Sequence, residues 1–105
     1  MLTFDGEFPS NIYPYLVRGG EGIVLERIPR TVEGWPDEAR LHERLADPAV
    51  KAVAVSLTQF SNGYTLDLAA LSRATRALGK WLVVDAIQAV GQVPIDVQAT
   101  PVDFL

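Results

Sequence analysis

Two apolar runs organise the second half of this chain. Ala52-Val-Ala-Val-Ser-Leu57 and Trp81-Leu-Val-Val84 lack the in–out alternation of a half-buried strand, and so predict strands buried on both faces, as in parallel sheets. Between them, Leu68, Leu71, Ala74 and Leu78 recur at helical spacing, with Asp67 as N-cap and Gly79 at the C-terminus. Gln59 to Thr65 reads as a connecting loop around the turn pair Asn62-Gly63. The first half is more broken. Met1–Phe4 predicts a short strand, Ser10 or Asn11 a cap for a short helix through Val17, and Ile23–Ile28 a second strand. Pro29–Pro36 reads as loop, and Asp37–Ala46 as a helix with Leu41 and Leu45 on one side and Pro48 as its stop. Val102–Leu105 begins a further apolar strand. Strands alternating with helices predict an α/β fold: a three-layer sandwich on a largely parallel sheet with right-handed crossovers, in one domain over residues 1–105.

Composition narrows the class. With 105 residues and 49% hydrophobic side chains, the chain is neither disordered nor fibrous. A formal net charge of −4 without a basic stripe argues against a nucleic-acid partner. No cysteine is present, which removes disulfides and thiolate chemistry within these residues. No apolar run reaches membrane-spanning length and no signal-peptide pattern opens the chain, so a cytoplasmic protein without a membrane partner is the expectation.

The candidate chemistry sits where the second apolar run ends. Asp85 falls at the carboxyl end of its strand, the edge at which open α/β sheets place ligands. Gln88 follows about one turn on and can face the same crevice. A carboxylate holds a ring nitrogen protonated and an amide reaches a ring substituent, so the pair suits a heteroaromatic cofactor. Asp85 equally suits a plain cap for the turn that follows it. Ser56 and Gln59 leave the neighbouring strand towards the same crevice, whereas Ser61 and Asn62 read as turn residues and Phe60 as packing. His42 reads as a solvated helix residue, Arg73 and Arg76 as an exposed helix face, and Trp35 as a loop anchor. Gly19-Gly20-Glu21-Gly22 follows a helix and precedes a strand, the reverse of a phosphate loop, and reads as a helix end. No metal-ligand constellation stands out.

Three segments carry a family resemblance: Phe4-Asp-Gly-Glu-Phe-Pro-Ser-Asn11, Val55-Ser-Leu-Thr-Gln-Phe-Ser-Asn-Gly63 and Val83-Val-Asp-Ala-Ile-Gln-Ala-Val-Gly-Gln-Val-Pro-Ile-Asp96. With Pro101–Leu105 they span nearly the whole chain, and it resembles the class V aminotransferases. These are fold-type-I pyridoxal-phosphate enzymes, and the likeness is to the subgroup of isopenicillin-N epimerase, cysteine desulfurases and selenocysteine lyases. The resemblance implies pyridoxal 5′-phosphate as cofactor and an amino acid as the small-molecule substrate. It implies that Asp85 pairs with the pyridinium nitrogen, Gln88 bonds the phenolic oxygen, and Gln59 lies near that oxygen. It also implies a partial large domain. The phosphate-binding turn and ring-stacking residue are expected upstream, and the Schiff-base lysine downstream of Val102–Leu105, so no catalytic residue is expected within the chain. Lys51 and Lys80, the only lysines, start strands at the opposite end of the sheet from Asp85. The expectation is therefore a fragment of an enzyme performing transamination, desulfuration or epimerisation, inactive alone and self-associating through its uncovered edges into a homo-oligomer. The alternative is a small stand-alone α/β binding or interaction module.

Overall fold

A computed structural model describes all 105 residues. Four short strands form one sheet: β1 (Leu2–Phe4), β2 (Glu26–Ile28), β3 (Ala52–Ser56) and β4 (Trp81–Asp85), in the order β2-β1-β3-β4. Every pairing is parallel, with Leu2 opposite Glu26, Leu2 opposite Val53, and Ala52–Ser56 in register with Trp81–Asp85. Parallel neighbours require crossover connections. These carry α1 (Tyr13–Leu16), α2 (Glu38–Leu45) and α3 (Leu68–Ala77).

The hydrophobic pattern explains the layers. Leu2, Phe4, Ile28, Val53, Val55, Leu82 and Val84 point to one face and join Leu41 and Leu45 of α2 and Leu68 and Leu71 of α3 in a single core. Both helices begin as the sequence reading requires: Asp37 accepts from Arg40 N at 2.9 Å and Asp67 from Ala70 N at 2.8 Å. Side chains alternate along a strand, so Thr3, Ala54 and Ser56 point to the opposite face, where all three are also buried. The Pro9–Leu16 segment, a 3₁₀ turn (Pro9–Asn11) leading into α1, covers that face, and Asn11 reaches Ser56 there. Helices, sheet and covering segment make the expected α/β sandwich.

Several boundaries differ from the sequence reading. The second strand is Glu26–Ile28 rather than Ile23–Ile28: its ladder with β1 starts at Leu2 opposite Glu26, and of Ile23–Leu25 only Val24 O meets the residue leading into β1, accepting from Met1 N at 2.9 Å. Neither Ser10 nor Asn11 caps a helix; the Asn11 side chain is spent on long-range bonds instead. Val102–Leu105 forms a single parallel bridge, Val83 to Phe104, steadied by Asp103 accepting from Leu82 N at 2.7 Å. Val83 is therefore only half-buried, although the apolar run predicted burial on both faces. Gly19–Glu21 forms a 3₁₀ turn that closes on Gly22, whose φ of +87° suits the end of a helical segment.

Candidate functional site

The carboxyl edge of the sheet collects the polar side chains. Ser56 and Asp85 are register partners at the ends of β3 and β4, so their side chains leave the same face side by side. Asn11 bridges them: its Nδ2 donates to Ser56 Oγ and to Asp85 Oδ2, both at 3.0 Å. The other carboxylate oxygen, Asp85 Oδ1, accepts from Ile87 N at 3.0 Å. One oxygen of Asp85 thus tightens the turn after β4, as the capping reading expects, and the other lies towards the crevice. A carboxylate offers about four acceptor positions, and two remain for a ligand.

Behind this pair lies Glu7, which is only 4% exposed. Its Oε1 accepts from Ser56 N (3.0 Å) and Gln59 Nε2 (2.8 Å), and its Oε2 from Ser56 Oγ (2.5 Å) and, at the limit of hydrogen-bond range, Asn11 Nδ2 (3.5 Å). Every partner is a donor, which is the bonding pattern of an ionised carboxylate. None of the five ion pairs in the structure includes Glu7 or Asp85. The edge therefore concentrates two acids, held by N–H and O–H donors alone.

A cleft of about 100 Å³ opens in front, lined by Phe8, Ser10, Ser56, Phe60, Asp85, Ile87 and Gln88. Phe8 and Phe60 meet edge to face at 5.2 Å. Ligand pockets run to roughly 300–1,000 Å³, so these residues form one wall of a site rather than an enclosure. A larger cavity of about 540 Å³ lies at the other end of the strands, where Met1, Tyr15, Ile23 and Val24 give it a largely apolar lining with Lys51 as its one charged side chain.

Asp85 and Gln88 thus share the cleft, Gln88 on the exposed turn held by the buried Ala86 and Ala89. Gln59 is placed differently. It is buried at 2% exposure, its Nε2 is committed to Glu7, and it stands behind the cleft rather than on its surface. Ser61 and Asn62 meet Arg30 and Gly34, as turn residues would, and Phe60 packs on Phe8 as expected while staying half exposed on the cleft. The lysines sit before β3 and β4. Lys51 Nζ donates to Pro48 O, and Lys80 Nζ to Asp47 O and Val50 O. Asp85 lies five positions along the strand from Lys80, about 16 Å at ~3.3 Å per residue. Glu7 and Asn11 escaped the sequence reading because their neighbours have turn composition. The usable signal was position: Glu7 follows the carboxyl end of β1 by three residues, on the same sheet edge as Asp85.

A parallel α/β sheet with an acid and an amide at its carboxyl edge belongs to the architecture in which ligands bind at that edge. The chain belongs to the class-V aminotransferase family, whose family model, Aminotransferase class-V, matches residues 1–105. A cysteine desulfurase of Dickeya dadantii is 38% identical over 107 residues, an alignment covering 99% of this chain and 25% of the relative. A 2-aminoethylphosphonate–pyruvate transaminase of Syntrophobacter fumaroxidans is 30% identical over 91 residues, covering 86% of this chain and 24% of the relative. Among solved structures, the cysteine desulfurase CsdA of Escherichia coli superposes with a TM-score of 0.86 at 24% identity, over 97% of this chain and 26% of that one. A cystine C-S lyase in complex with its product cysteine persulfide superposes at 0.83 with 26% identity, over 97% and 28% of the respective chains. The chain spans about a quarter of the length of the curated relatives it matches. No helix is long and apolar enough to cross a membrane.

Proposed function

We propose that these residues form one wall of a pyridoxal 5′-phosphate site in an enzyme acting on an amino acid by transamination, desulfuration or epimerisation. The observation that carries the reading is Asp85: a carboxylate on the ligand edge of a parallel sheet, opening on a cleft, with acceptor positions free and no cation paired to it. Such a group fits a protonated ring nitrogen. Gln88, on the same cleft, would hold the phenolic oxygen, and the Phe8–Phe60 pair would give an apolar flank to a planar ring. Gln59 belongs to the set through Glu7, on which its donor is spent. When bound, the cofactor supplies an electron sink for charge developing on the amino acid. The residues of this chain bind and orient it, and Asp85 keeps the proton on the ring nitrogen.

The chain alone is inactive in this reading. Lys51 and Lys80 lie at the wrong end of their strands, and the amine that captures the cofactor and moves the substrate proton comes from elsewhere in the whole protein. One charge-assisted contact and one or two neutral hydrogen bonds supply about 2–4 kcal/mol, so the isolated wall binds no more tightly than about 1–30 mM. The uncovered apolar residues, among them Val17 at 80% and Val24 at 75% exposure, favour assembly with further copies. The test is to incubate the chain with pyridoxal phosphate, reduce with borohydride and map labelled lysines by mass spectrometry. Low, unselective labelling is expected. Stoichiometric labelling of Lys51 or Lys80, abolished by Asp85→Ala, overturns the inactive-wall reading.

A further inference from the structure

We infer that Glu7 is the positioning residue of this wall: it sets the direction of the hydrogen bonds that aim Asp85 at its ligand. The inference rests on the cofactor reading of Asp85, and adds a residue that does not itself reach the cleft.

The argument follows the protons. An ionised carboxylate only accepts. Because Glu7 Oε2 lies 2.5 Å from Ser56 Oγ, the single hydroxyl proton of Ser56 is committed to Glu7. Ser56 Oγ is left with lone pairs only, so the Asn11 group 3.0 Å away must be a donor. That fixes the Asn11 amide with its nitrogen, not its oxygen, towards Ser56. The same nitrogen then presents its second hydrogen to Asp85 Oδ2 at 3.0 Å. Were the amide reversed, its oxygen would face the Asp85 carboxylate and repel it. Glu7 thereby determines whether Asp85 is held or pushed away, although no atom of Glu7 touches Asp85. Its backing is firm: Ser56 N and Gln59 Nε2 occupy Oε1, and the side chain is almost fully buried. Two acids sharing one amide, with no cation between them, favour a cationic ligand in the cleft. That is the charge a protonated ring nitrogen brings.

The experiment uses the ¹⁵N-labelled 105-residue chain and pyridoxine 5′-phosphate, an aldehyde-free probe that does not react with lysine. Without probe, Glu7→Gln raises the exchange rate of the Asn11 side-chain amide protons about tenfold and shifts the Ile87 N–H, which reports on Asp85 Oδ1. Glu7→Asp, which keeps the charge and loses a methylene, has the smaller effect of the two. A residue that merely fills space gives the opposite order, and that order overturns the inference. With probe, Glu7→Gln weakens binding about fivefold, read from the Gln88 and Ile87 resonances. Equal binding within twofold overturns the positioning role while leaving the cofactor reading intact. A probe that leaves the wild-type resonances unmoved, or binds Asp85→Asn as well as wild type, sinks the cofactor reading; the probe-free arm still decides whether Glu7 positions Asp85. Should Glu7→Gln fail to fold, Asn11→Ala cuts the same relay at a half-exposed residue. An unmoved Ile87 N–H in that variant overturns the inference equally.

Discussion

Replacing Glu7 by alanine is expected to remove a large share of this chain's stability, and the magnitude follows from the bonds it makes. The substitution strands three buried donors, Ser56 N, Ser56 Oγ and Gln59 Nε2, which now bond to the carboxylate at 3.0, 2.5 and 2.8 Å. Leaving a buried donor unsatisfied costs about 1–3 kcal/mol. Three of them set a range of about 3–9 kcal/mol, and the lower end applies because the adjoining cleft lets water reach the vacated volume. We expect a loss of about 3–5 kcal/mol. A chain of this length has about 5–15 kcal/mol in total, so the variant is marginal. Urea unfolding followed by circular dichroism measures it: at slopes of about 1–3 kcal/mol per molar, a 3 kcal/mol loss lowers the midpoint by roughly 1–3 M. Glu43→Ala, which removes an exposed pairing with Arg40 on α2, serves as control and should stay within about 0.5 kcal/mol. If Glu7→Ala costs less than about 1 kcal/mol with an unchanged slope, the carboxylate is not the buried hub described above.

Further outcomes test other parts of the structure. Asp67→Ala removes the cap on Ala70 N and should cost about 1 kcal/mol, read as a lower melting temperature. Leu82→Ala opens a cavity where β4 meets the core and should cost about 2–5 kcal/mol in urea unfolding. Arg44 hydrogen-bonds Glu26 and holds its carboxyl below the ordinary value of 4.5. A lowered folded value means that this contribution is present above about pH 4.5 and is lost as pH falls through the folded value. Urea midpoints between about pH 6 and pH 3 should therefore show wild type converging on Glu26→Gln towards the acid end; a constant gap would refute the pairing. Light scattering at micromolar concentration should find species larger than a monomer, and a monodisperse monomer would count against self-association.

The parts of the molecule legible in the sequence are those whose signal is local. An apolar run without alternation needs only its own residues to specify a strand buried on both faces, and Val53–Val55 fulfil it. Asp67 and the Leu68–Leu71 spacing do the same for α3. What the sequence hid is built from separation. Glu7 sits between turn residues, and its burial arises only when donors 49 and 52 positions away close around it. Gln59 reads as a cleft residue from its place after β3, yet Glu7 draws its amide inward. The strand β2 is shortened by its neighbour, not by its own composition. A single rule nevertheless connects the residues found with those missed. In a parallel sheet every strand delivers its last residue and the next few to the same edge, so Asp85 ending β4, Ser56 ending β3 with Gln59 beyond it, and Glu7 beyond β1 share that edge. Applied to β1 as it was to β3 and β4, the rule marks Glu7 as an edge acid. It is the folded sheet that makes Glu7 buried, by setting two strands' donors around it, and makes Asp85 open to the cleft.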